Sequence, residues 1–259
     1  GGDAAWIPAA EARGAREASL LTWDTRELLI LLLAAVLQRK AADFVGVMEA
    51  ETMVAQVARI FPRLVQETVP KTVPTFILTD VLRRLLAEAL SIRDMRRILL
   101  ALAEWGRIEH DPVMLAEYVR AALQRQITHQ FSRGSNQLVV FLLDPALEQV
   151  VRQSIRHTPT GSYIDLPPAD LHGIVHAIGQ AVATLPNDVQ FPQILTTMEI
   201  RSAVRRLVAT TLPRMHVVSY QDVRPEAAIQ PIGRISFDGL TTRGQVTVDG
   251  APLWPDAST

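Results

Sequence analysis

Residues 76–127, FILTDVLRRLLAEALSIRDMRRILLALAEWGRIEHDPVMLAEYVRAALQRQI, decide how this chain folds. Leu78, Val81, Leu82, Leu85, Leu86 and Ala89 recur at steps of three and four, which puts them on one face of a helix. Ser91, three residues before Asp94, reads as the N-cap of a second helix. Its apolar side runs through Ile98, Leu99, Leu102 and Trp105 to Gly106, which is expected to stop it in a left-handed conformation. Asp111 and Pro112 then supply an N-cap and a first-turn proline for a third helix, whose stripe is Leu115, Val119, Ala122, Leu123 and Ile127. Three amphipathic helices in succession bury their stripes on one another.

Working outward toward the N-terminus, a helix is expected from Asp24 to about Ala42, with Leu28, Leu31, Leu32, Ala35 and Val36 among its buried positions. Another follows from about Glu49 to Ile60, with Met53, Val54 and Val57 facing inward, until Pro62 interrupts it. Residues 1–22 offer little to pack and read as loosely anchored. Pro70 and Pro74 make 69–75 a linker, and the Gly and Ser of 132–136 mark a second boundary.

Beyond residue 136 the period changes. Leu138–Leu143 is a continuous apolar run suited to a strand buried on both faces. Pro145 opens a helix to about His157, 159–168 reads as a loop, and 169–184 as a helix. Strands at 193–196, 215–219 and 229–235 and a helix at 199–211 complete an α/β pattern with a mostly parallel sheet. The expected class is α+β in several subdomains: a remnant of a preceding unit at 1–22, a small helical unit at 23–70, a central three-helix unit at 71–135, an α/β unit at 136–235 and a flexible tail at 236–259.

Composition narrows the function. With 259 residues, 48% of them hydrophobic, the chain can bury substantial cores. Its formal net charge of -1 gives no global pull toward nucleic acid or an anionic membrane. The absence of cysteine removes disulfide and thiolate chemistry. The longest apolar run, Leu28–Leu37, is about half a bilayer span, and GGDAAWIP lacks the charged-then-apolar order of a secretory signal.

Chemical motifs are scarce. His172 and His176 stand four apart, a metal-sharing spacing on a helix, but no third ligand accompanies them, and His110, His129, His157 and His216 show no ligand-like spacing. No GxSxG elbow frames a serine, and no GxxxxGK[ST] or GxGxxG loop cradles a phosphate. Glu49 with Glu51, or Asp43 with Glu49, reads as a solvated face rather than an acid/base pair. Catalysis and cofactor binding are therefore not expected, although an enzyme or a nucleic-acid module without a recognisable motif stays open.

Arginines are the most distinctive feature: Arg83–Arg84, Arg93 with Arg96 and Arg97, and Arg201 with Arg205 and Arg206. Residues 76–135 hold nine Arg against seven Asp or Glu, with few aromatics, which disfavours a nucleic-acid surface. Ion pairs within the chain, between subunits, or along a solvated helix face fit equally well.

The segment VLRRLLAEALSIRDMRRILLALAEW followed by DPVMLAEYVRAALQRQI resembles the cytoplasmic domain of the type III secretion export gate family, which includes FlhA, LcrD and SctV. ADFVGVMEAETMVAQVARIFPRLVQETVP, LDPALEQVVRQSIRHTPTGSYIDLPP and ILTTMEIRSAVRRLV extend the likeness, with Met48 where the family usually has Gln, and SYQDVRPEAAIQPIGRI resembles the injectisome branch. The resemblance spans about residues 5–235. It implies a non-enzymatic docking platform at the cytoplasmic face of the bacterial inner membrane, reached through an N-terminal membrane region outside this sequence. Implied partners are further copies of the chain in a ring, typically a nonamer, secretion chaperones with cargo, a gatekeeper protein and the stalk of the associated ATPase. The resemblance implies that the central helical unit lines the ring interface, where Arg93, Asp94, Arg97, Glu104 and Arg120 are the candidates. Phe44, Val45, Val69, Val73 and Phe76 lie where turns and prolines leave apolar side chains outside a helix stripe and form a candidate groove, and the resemblance places the positions of Val45, Val73 and Phe76 in a dimple that receives export chaperones. At Phe76 the flagellar relatives carry a smaller, polar residue. Motion about 69–75 and 132–136 would open and close that groove.

Overall fold

The computed structural model describes residues 5–158, 161–183, 193–213 and 215–236. Helices α1 (Ala12–Glu17) and α2 (Thr25–Arg39) come first, followed by a 3-10 turn over Ala41–Phe44. Asp24 caps α2 as expected, its carboxylate accepting from Glu27 N at 2.7 Å while Glu27 accepts from Asp24 N. The expected burial of Leu28, Leu31, Leu32, Ala35 and Val36 does not occur: no residue of α2 is buried. Apolar side chains occupy every side of α2, so its composition favours enclosure, but nothing among the described residues encloses it.

The next four helices, α3 (Val47–Ala58), α4 (Pro62–Thr68), α5 (Thr75–Ala87) and α6 (Met95–Trp105), fold as amphipathic elements. Leu78, Val81, Leu82 and Leu85 of α5 and Ile98, Leu99 and Leu102 of α6 are all buried. Two caps differ from expectation. Asp94, not Ser91, caps α6, accepting from Arg97 N at 3.1 Å; Ser91 Oγ accepts instead from Arg93 N. Gly106 is right-handed, and its need for glycine is spatial, since a Cβ there would lie 2.4 Å from a methyl of Val73.

The α5 end is a Schellman turn, with Leu90 N donating to Leu85 O and Ala89 N to Leu86 O, both at 2.9 Å. Ala89 therefore lies beyond the helix, at φ 57° and exposed rather than on its buried face, and Glu88 becomes the C-cap. The third expected helix is two: α7 (Pro112–Ala122), capped by Asp111, and α8 (Gln124–Phe131), broken at Leu123.

The remaining chain forms β1 (Gln137–Leu143), α9 (Pro145–Ser154), β2 (Ile155–Thr158), β3 (Gly161–Ile164), α10 (Pro168–Ala183), β4 (Gln193–Thr196), α11 (Met198–Ala209), β5 (His216–Ser219) and β6 (Ala228–Ile235). Strands β5-β4-β1-β6 make the expected parallel sheet. The helix expected to reach His157 stops at Ser154, and part of the expected loop pairs back as the antiparallel hairpin β2–β3. On edge strand β6, Pro231 lies opposite Val140 where the register shifts, a position that needs no donor.

Both faces of the sheet are covered, as a parallel sheet requires. Val140, Leu195 and Val218 join the core of α3–α8, whereas Phe141, Ile194 and Val217 join a second core with α9–α11. The first core is continuous from Val45 through Val69 and Val73 to Val223, so the 69–75 and 132–136 linkers turn the chain without interrupting its packing. The tail at 237–259 lies outside the described residues.

Candidate docking surfaces and the junction behind them

Helix α5 positions the first surface. Phe76 and Arg83, seven residues apart, share one of its faces. Phe76 is 65% exposed, and Arg83 Nε donates to Val45 O at 2.6 Å, which fastens the 44–45 turn beside the helix about two turns, roughly 10 Å, further along. Phe44 is 61% exposed, whereas Val45, Val69 and Val73 are buried. Val73 and Phe76 line a cavity of about 330 Å³ with Pro74, Ile77, Gly106 and Leu115. Of the five residues expected to form a groove, Phe44 and Phe76 are exposed, Val45, Val69 and Val73 belong to the core, and only Val73 and Phe76 line this cavity.

Helix α6 positions the second surface. Arg97, Leu100 and Glu104 follow one another at helical spacing, and Leu100 is 44% exposed. With Ala101, Met198 and the Trp105–Tyr118 pair, stacked at 4.1 Å, they line an open cleft of about 520 Å³. Arg97 Nε pairs with Asp94 at 3.2 Å in solvent, and Arg93 is exposed. Asp94 and Arg97 also border a polar cleft of about 570 Å³ with Arg125, His129 and Arg224 beside the 132–136 turn.

Arg120 is elsewhere. It is 1% exposed and points into the junction between the helical part and the sheet. Its guanidinium donates to Asp222 Oδ2 at 3.2 and 2.7 Å, to Glu88 Oε2 at 2.9 Å and to Val217 O at 3.4 Å. Arg201 on α11, 2% exposed, binds Glu117 through two bonds of 2.5 Å and Glu88 through bonds of 2.7 and 2.9 Å. The five side chains converge from α5, α7, α11 and the turn after β5. Burial opposes the charge of Glu88, yet Arg201 and then Arg120 outweigh it and hold the carboxyl down at about 2. Burial dominates at Glu117 and raises its pKa above 4.5 against the pull of Arg201.

Sequence reading did not single out Glu88, Glu117 or Asp222 and grouped Arg201 only with its exposed neighbours. A signal was present: Val113, Glu117 and Arg120 repeat at four and three, and Arg201, Val204 and Val208 at three and four, so charged residues occupy core-facing positions. The histidines His172 and His176 are exposed, and among the described residues no cluster of His, Asp and Glu could hold a metal ion. Asp43 pairs with Lys40 at 3.1 Å, and Glu49 accepts from Gly46 N. No described helix is long and apolar enough to cross a membrane.

Comparison with known proteins follows the same outline. The model of the FHIPEP family matches residues 1–228. The low calcium response locus protein D of Yersinia pestis is 33% identical over 233 residues, covering 90% of this chain and 33% of that protein. The Chlamydia pneumoniae CdsV protein, solved in complex with CdsO, has a TM-score of 0.82 and 36% identity over 89% of this chain and 68% of that one. The nonameric EPEC SctV-C structure has a TM-score of 0.77 and 29% identity, covering 87% of this chain and 68% of that one. This chain thus spans about a third of the length of the curated relative it matches.

Proposed function

The chain belongs to the FHIPEP family, and on that premise we propose that it is a cytoplasmic docking part of the inner-membrane export gate of a type III protein secretion system. Copies of the chain assemble side by side into a ring, as the nonameric SctV-C relative does. The observation that carries this reading is the outer face of α6, where Arg97, Leu100 and Glu104 line an apolar cleft and the exposed Arg93 stands just before the helix. An apolar centre with a charged rim is the anatomy of a protein interface. Arg120, being internal, supports that face from behind rather than joining it.

The α5 surface serves the second half of the function. Exposed Phe44 and Phe76, with Val73 lining the cavity beside Phe76, offer aromatic anchors for secretion chaperones with cargo and for a gatekeeper protein. The ATPase stalk is a further partner of the assembled ring, and the CdsV–CdsO complex is a precedent for a second protein on a similar fold. Residues 5–44, none of them buried, complete a preceding subdomain together with segments that the longer relatives carry. No catalytic step is needed for any of these roles.

Sedimentation of the purified chain at high concentration tests the reading. A ring-sized species is expected for the wild type and its loss for Arg93→Glu; an unchanged distribution in the variant would remove α6 from the interface.

A further inference from the structure

The polar cleft beside the first turn of α6 is fixed in shape and one-sided in charge. Its walls come from the start of α6, from α8 with the 132–136 turn, and from the segment after β5 that carries Arg224. Side-chain bonds hold these walls together. Gln126 Nε2 donates to Ser91 O at 2.9 Å and ties α8 to the chain entering α6. Arg224 N donates to Thr128 Oγ1 at 2.9 Å, and Asn136 Nδ2 to Glu226 O at 3.0 Å, which lash the 224–226 segment to α8 and to the turn. Within the turn, Ser132 Oγ accepts from Asn136 N at 3.2 Å. The opening of about 570 Å³ is the size of a ligand cleft, roughly 300–1,000 Å³, and its walls are preformed.

Arg97, Arg125 and Arg224 line the cleft, and Asp94 is the only acid that does so among the described residues. Arg97 Nε pairs with Asp94 at 3.2 Å and Arg224 Nε with Glu226 at 3.1 Å, both solvent-exposed contacts of the kind that contribute little. Arg125, exposed on α8, makes no hydrogen bond or ion pair among the described residues. Arg93 and Arg133 adjoin lining residues in sequence and are also exposed. Asp222, two residues before Arg224, does not offset them, since it is buried in the junction and paired with Arg120. A chain with a formal net charge of -1 thus concentrates positive charge at this place.

Arginine forks match the geometry of carboxylates and phosphates. Leu123 is the only apolar side chain in the lining among the described residues and is 1% exposed, so the cleft offers no aromatic or apolar platform for a base. A single inorganic oxyanion would leave most of the space to water, at about 30 Å³ per molecule, whereas an extended chain would fill it. We propose that this cleft binds an acidic peptide segment of a partner protein, whose successive Glu or Asp carboxylates meet Arg125, Arg224 and Arg97. The site stands without the ring, because Arg97 is the only residue it shares with the cleft on the outer face of α6.

Fluorescence anisotropy of a labelled, capped peptide of alternating Glu and Gly, titrated with the purified chain, tests this. The Gln counterpart of the peptide and a single-stranded oligonucleotide are measured beside it. Saturable binding of the Glu peptide is expected, tighter than that of either comparison ligand and weakened roughly tenfold by Arg125→Gln through loss of one charge-assisted contact. Arg125 has no partner in the chain among the described residues, so this variant keeps the fold. Arg13→Gln on α1 removes the same charge elsewhere and should leave binding unchanged. Absence of saturable binding, equal binding of the Glu and Gln peptides, tighter binding of the oligonucleotide, or equal weakening by the two variants would overturn the proposal.

Discussion

Helices α2 and α6 are both rich in leucine, and only one has a core. Over its 15 residues α2 buries none, with Ile30 60% and Leu32 54% exposed, whereas the 11 residues of α6 bury Met95, Ile98, Leu99, Ala101 and Leu102. The difference lies in arrangement. In α6 the apolar residues keep to one stripe and the charges to the other, which gives a partner helix a surface to pack on while water keeps the rest. In α2 apolar residues surround the axis, which only an enclosing structure can satisfy. Hydrophobic content alone therefore says that burial is needed; periodicity says against what.

The contrast can be broken at three strengths. Arg201→Met removes the shared partner of Glu117 and Glu88 and should cost about 4 kcal/mol, because buried Glu117 loses both of its hydrogen bonds and Glu88 keeps only Arg120. Arg13→Ala, in the exposed pair with Glu17 on α1, should leave the urea midpoint unmoved. Next, Leu99→Ala in α6 should lose about 3 kcal/mol through the cavity it opens, while Leu32→Ala in α2 changes stability by less than about 0.5 kcal/mol. Equal losses at the two leucines would mean that α2 is enclosed within this chain after all. One change should stabilise: Ala89→Gly relieves a left-handed alanine at φ 57° and should add about 1 kcal/mol, measured by thermal or urea unfolding.

These regions also mark how far the sequence could be read. The strand at 137–143 and the stripes of α5–α7 were legible because single-residue periodicity carries them. The hairpin β2–β3 was not, since IRHT and GSYI lack a clear apolar alternation and lie next to a proline-rich stretch. Ser91 reads as the cap of α6, but Asp94, a residue type equally suited to that position, accepts from Arg97 N instead. The Glu88–Arg201 and Arg120–Asp222 pairs join residues 113 and 102 positions apart, a distance over which local pattern is silent. Of the candidate interface charges, Arg93, Arg97 and Glu104 are exposed, but Arg120 shares their composition and faces inward; residue type did not reveal direction, while its spacing from Val113 and Glu117 held an unread signal.

The same pair of helices supplies the most direct test of the docking-platform reading. Leu100 on α6 and Leu32 on α2 are both exposed, so a charge at either should spare the fold of this chain. Sedimentation of Leu100→Glu and Leu32→Glu at high concentration, beside the wild type, decides which face joins the copies. The account predicts that the ring-sized species is lost in Leu100→Glu and retained in Leu32→Glu. Retention in Leu100→Glu with loss in Leu32→Glu would contradict it and move the interface to α2.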